Sequence, residues 1–200
     1  MTPQNSSQAT ADLLTLGETG ATLWASGDPQ TAITSLSRVA RDPNHASPGM
    51  LYLSPQAATH LGLSISKVLL TNREGTDHAL ALATILVASP EPGLRMIGPH
   101  VLTPFARQDP GLAKRMIDIA KACFDGAGIA ALVIPLTAAA QTNPTLAGAS
   151  LTTAAPDLSS LIALVTQAVA RRSPSTARQF ALAIRKGPSP ACETISGELA

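Results

Sequence analysis

With 200 residues, the chain is long enough for one ordinary domain or two small ones that fold without disulfide staples. Hydrophobic residues make up 45% of it, aromatic residues 2% and charged residues 14%, so the core has to be assembled from Ala, Leu, Ile and Val. A net charge of +1 with no basic stripe argues against nucleic acid and against an anionic membrane surface, since clustered Lys and Arg hold both.

The N-terminal MTPQNSSQATAD is polar and has neither a basic n-region nor an apolar h-region, so it does not read as a secretory signal. Cys123 and Cys192 lie in unlike contexts and give no disulfide framework. Apolar runs around 79–88, 129–140 and 158–170 fall short of the ~20 consecutive apolar residues of a membrane span. The expectation is a soluble, cytoplasmic protein with no membrane insertion. Residues 1–11 and 188–200 read as flexible tails.

Asp28-Pro29 is an N-cap followed by a proline at the first helical position. Ala32, Ile33, Leu36, Val39 and Ala40 then recur at helical spacing, which predicts a helix over 29–41. Gly20, Leu23, Gly27, Asp28, Ala32, Leu36 and Pro43 resemble a single tetratricopeptide unit. One such unit cannot bury its own face, and the segment reads as an ordinary helical hairpin. Ser54-Pro55 caps a second, short helix that Gly62 is expected to end.

SKVLLTN at 66–72 is rich in strand formers and NREGTD is a polar turn. From His78 to Val87, Leu80, Leu82, Thr84 and Leu86 alternate as in a strand, although Ala at most intervening positions leaves a buried helix open. Asp109-Pro110 caps an amphipathic helix with Leu112, Met116, Ile119, Ala120 and Cys123 inward, stopped by Gly126 and Gly128. IAALVIPL at 129–136 reads as a buried central strand. A loop through QTNPTLAGAS leads to a helix over 157–172 with Leu158, Leu161, Ile162, Val165 and Val169 as its stripe. Residues 66–97 and 175–186 fit strand and helix alike.

Several of these residues also carry a resemblance. LYLSPQAATHLGL, KVLLTNREG and ALATILVASPEPGLRMIG place Pro55, Ala57, Ala58, Leu61, Gly62, Val68, Gly75, Pro92 and Gly93 in an order similar to the molybdopterin-dinucleotide-binding domain. The similarity covers residues 12–101. It departs from the family pattern where LGLSISKV lacks a Gly-Asp turn and where Gln56 replaces an acid. The resemblance implies a double-psi β-barrel and a place as a subunit of a redox enzyme assembly.

Chemistry-bearing residues are scattered. His45, His60, His78 and His100 stand singly, without HExxH, Cys-x-x-Cys or a paired carboxylate, so no metal site is expected. No serine sits in a G-x-S-x-G elbow, and no glycine-rich phosphate loop precedes a helix. The polar cluster Asn72, Arg73, Glu74, Thr76 and Asp77 is the one arranged group, with Asn72, Arg73 and Thr76 as candidate ligand-binding residues. The catalytic residues and the cofactor stay unassigned.

These readings add up to a mixed α/β fold. An N-terminal helix and a small β-barrel-like module occupy 12–103, and an α/β layer occupies 104–187. The alternative is all-α helical hairpins. The functional expectation is a binding or accessory protein without its own catalytic centre, whose partner is another protein or a small anionic ligand. A helical protein-interaction module and a small-molecule enzyme with dispersed catalytic residues are the alternatives.

Overall fold

A computed structural model describes residues 3–46, 53–122, 126–152 and 158–185. Among these residues there is no strand, and the only β pairing is an isolated antiparallel bridge between Ala46 and Leu53. The mixed α/β expectation is therefore corrected to an all-α fold, and the double-psi barrel goes with it. The helices are α1 (Pro3–Ala25), α2 (Pro29–Ala40), α3 (Pro55–Leu70), α4 (Gly75–Ala88), α5 (Pro92–Gln108) and α6 (Ala113–Ala122). They continue with α7 (Gly126–Ala131), α8 (Val133–Thr142), α9 (Pro144–Thr152), α10 (Ser159–Ala170) and α11 (Pro174–Arg185). The chain divides into two compact units, Met1–Pro104 and Phe105–Ala200.

In the first unit, α1 begins at Pro3, so the residues expected as an N-terminal tail are helical from there on. Gly27 supplies the turn to α2 with a φ of 86°, a left-handed conformation that favours glycine. Asp28 then caps α2, its carboxylate accepting the Thr31 N–H at 3.1 Å. Ala32, Leu36, Val39 and Ala40 are buried as their spacing predicts, and a Cβ at Gly20 of α1 would lie 3.1 Å from Leu36.

Helix α3 does not stop at Gly62. It runs to Leu70, because Gly62 serves a close approach of α5: a Cβ there would meet the His100 Cβ, with the Ile97 carbonyl oxygen 3.0 Å away. SKVLLTN is thus the last turns of α3. The alternating leucines of α4 belong to a wide buried face of Ala79, Leu80, Leu82, Ala83, Leu86 and Val87. Alanine satisfies a period of 2 and a period of 3.6 equally well, which is why the sequence allowed a strand there. Gly98 of α5 in turn faces Val87, Leu86 and Ala83 of α4, and Gly93 faces Ala40 of α2.

In the second unit, Asp109 accepts the Gly111 N–H at 2.9 Å and starts a short 3-10 turn that leads into α6. Leu112, Met116, Ile119 and Ala120 are buried. Cys123 and Cys192 lie outside the described residues, as do Asp157 and residues 188–200. Gly126 opens α7 and Gly128 lies within it, so neither stops a helix in the way expected. Residues 129–136 are not a strand: they finish α7, pass Leu132 and begin α8, with Pro135 in the first turn, where a missing N–H costs nothing. Ile134, expected in the core, is 43% exposed, while Leu136 is 1% exposed.

The expected loop 141–150 contains most of α9, capped by Asn143, which accepts the Leu146 N–H at 3.0 Å. A Cβ at Gly148 would lie 2.9 Å from the Phe180 carbonyl oxygen, so α9 and α11 pack backbone to backbone. Helix α10 buries Leu161, Ile162, Val165 and Val169 as its stripe predicts. The undecided last element is α11, with Ala177, Phe180 and Ile184 buried. Among the described residues no helix is long and apolar enough to cross a membrane.

Candidate functional site

The residues singled out for ligand binding share the turn between α3 and α4. That turn is closed from within: the Asn72 N–H donates to Leu69 O at 3.0 Å and the Gly75 N–H to Asn72 O at 3.0 Å. The Asn72 side-chain oxygen accepts the Glu74 N–H at 3.1 Å, so it is engaged in holding the turn. Arg73 is exposed, and Thr76 is half-buried in the first turn of α4. The structure thus brings Asn72, Arg73 and Thr76 together on adjacent turns, with Glu74 and Asp77 beside them.

The four histidines do not converge. His45 Nε2 lies 3.9 Å from Asp42 Oδ2, and His78 Nε2 lies 3.9 Å from Glu74 Oε2. No group of three or more His, Cys, Asp or Glu able to hold a metal ion occurs among the described residues. His100 sits where α5 crosses α3. Thr59 donates its hydroxyl to Pro55 O at 2.9 Å, which leaves its lone pairs for an Nε2–H of His100 at 3.3 Å. Burial pushes the His100 pKa below the ordinary imidazole value.

That crossing also answers a backbone problem. Pro104 inside α5 has no N–H, so the carbonyl of His100, four residues earlier, loses its helical donor. The Ser66 hydroxyl of α3, 1% exposed, lies 2.8 Å from Val101 O and 3.4 Å from His100 O, besides 2.7 Å from Gly62 O. Its single proton serves this patch of carbonyls one at a time. A second polar contact ties α2 to the start of α5. Glu91 receives Arg41 Nε at 2.9 Å, the other Arg41 arm at 3.1 Å and Ser37 Oγ at 2.8 Å. Arg41 is held more firmly protonated by the hydrogen bond and charge of Glu91. Both contacts join helices and leave no group poised for chemistry.

The face that sequence reasoning missed lies on α1 and α3. Leu13, Gly17, Ala21 and Trp24 of α1 point into the core, and the opposite side carries Ala11, Leu14, Thr15, Glu18, Thr19 and Thr22. Thr15, Thr19 and Thr22 donate their hydroxyls back to the carbonyls of Ala11, Thr15 and Glu18 at 3.1, 2.8 and 2.8 Å. With their protons so engaged, these hydroxyls keep no donor to offer outward.

On α3, Ser64 packs against α1 and donates to Leu14 O at 2.6 Å, while Lys67 pairs with Glu18 at 3.3 Å. Glu18 lies one turn beyond Leu14, and Lys67 lies one turn beyond Leu63. Both leucines therefore lie one turn before the ion pair, Leu14 on α1 and Leu63 on α3. They are 40% and 41% exposed. The signal was present as Leu-x-x-x-Glu and Leu-x-x-x-Lys, but it has meaning only once α1 and α3 are known to be neighbours. Compared with known proteins, the chain matches no family model, no curated sequence and no solved structure.

Proposed function

We propose that the chain is a cytoplasmic helical protein-interaction module whose working surface is the outer face of α1 and α3. The observation that carries this reading is the composition of that face. Leu14 and Leu63 stand open beside one ion pair, and the flanking threonines have their hydroxyl protons turned back onto the helix. Exposed apolar side chains gathered on one face mark a candidate protein-interaction surface. Scattered exposed leucines elsewhere, such as Leu164 and Leu182, are ordinary surface features.

The test is recovery of the tagged full chain from its native host, beside a Leu14→Glu/Leu63→Glu variant of unchanged circular dichroism. The expected result is protein held in fixed ratio by the native chain and released by the variant. Equal retention by both would remove the face from the function.

A second reading has one observation in its favour. Glu74 provides no side-chain cap for α4, whose Gly75 N–H is taken by Asn72 O, so the positive end of the helix and the Thr76 N–H stand beside the exposed Arg73. A small anion held by Asn72, Arg73 and Thr76 would use them, against the opposing charges of Glu74 and Asp77. Under this reading Arg73→Ala weakens anion binding in calorimetry and leaves the melting temperature nearly unchanged, as about expected for an exposed turn residue. Unchanged affinity returns the turn to a purely structural role.

A further inference from the structure

Resting on the reading of α1 and α3 as an interaction face, we propose that its occupant is a second copy of this chain, related by a two-fold axis that sets Glu18 of each copy against Lys67 of the other. A two-fold interface uses the same patch on both partners, so the patch must be complementary to itself. This one is. It carries one acidic and one basic group side by side, Glu18 and Lys67 at 3.3 Å, with Leu14 and Leu63 flanking the pair and Asp12 at its edge. An ion pair set at the axis can meet its own copy without repulsion, because each charge then faces its opposite across the interface.

The pair also has capacity to spare. The Lys67 side chain is 78% exposed and that of Glu18 is 44% exposed, so each can take a further partner from outside. A lone exposed ion pair adds little to stability, but two such pairs brought together form a four-charge network shielded by leucines.

The deciding experiment is sedimentation velocity of the full chain and of two variants, Glu18→Lys and Lys67→Glu, each alone and then mixed in equal amounts. The native chain is expected to reach twice its 20.4 kDa mass with rising concentration. Each variant alone places like charges across the axis and should associate at least about tenfold more weakly. The mixture puts Lys at 18 opposite Glu at 67 in one contact and the native Lys67 opposite the native Glu18 in the other. It should therefore dimerise again, although neither variant has regained the pair within its own chain. Circular dichroism of each variant establishes that it is folded.

A native chain that stays monomeric up to roughly 200 µM, well above a micromolar Kd, overturns the proposal. So does a mixture that stays as monomeric as its components, or a dimer that ignores both charges. If the monomeric chain still holds another protein through Leu14 and Leu63, self-association fails while the interaction-module reading stands.

Discussion

Gly62 and His100 show how single residues decide this fold. Glycine inside a helix costs about 1 kcal/mol relative to alanine, so Gly62→Ala would stabilise an isolated α3. Here the added methyl group would run into His100 and the Ile97 carbonyl, and overpacking of that kind costs roughly 1–3 kcal/mol. Gly62→Ala is therefore expected to lower stability in urea unfolding, and an increase would show that α5 can move aside cheaply. His100 adds a pH dependence. Its folded pKa is depressed by burial, so the unfolded chain takes up the proton first as the pH falls. Stability is complete above the ordinary value of 6.5 and declines below it, until the folded imidazole itself titrates. His100→Gln should flatten that decline; an unchanged slope would assign it to other groups.

At the scale of the element, proline-marked caps and apolar stripes were legible, whereas helix lengths and the alanine-rich interiors were not. Asp28, Ser54 and Asp109, read as caps, each precede a proline and accept a backbone N–H at the start of a helix or 3-10 turn, and Asp42, Asn143 and Ser173 do the same although Asn143 lay in a stretch expected as a loop. That is local chemistry, written within four residues. The extent of α3 was hidden because Gly62 answers to His100 on another helix, and the nature of α4 and α8 was hidden because alanine obeys either period. Substitution at 134 and 136 separates the two periods, since residues two apart share a face in a strand and take opposite sides of a helix. Ile134→Asp should change stability by about 0.5 kcal/mol or less, whereas Leu136→Asp should cost about 3 kcal/mol or more. Equal effects would restore the strand. Ser66→Ala should cost about 1–2 kcal/mol, because carbonyls near Pro104 lose their buried donor. A neutral result would mean that those carbonyls find donors elsewhere.

For the molecule as a whole, caps and apolar stripes announce helices, but no local pattern says which helices become neighbours. The candidate face consists of Leu14 and Glu18 from one helix and Leu63 and Lys67 from another. It exists only because Ser64 and Gly17 bring α1 against α3. The turn at Asn72, Arg73 and Thr76 was legible for the opposite reason, since its residues are consecutive. The central claim is that α1 and α3 meet a partner, and side-chain oxidative footprinting tests it most directly. The chain is labelled in native extract at working concentration and again after dilution of the purified protein. Leu14 and Leu63 should be protected in the extract and labelled on dilution, while Ile85 and Leu182, 46% and 55% exposed, are labelled in both. Equal labelling of Leu14 and Leu63 in the two states would contradict the account.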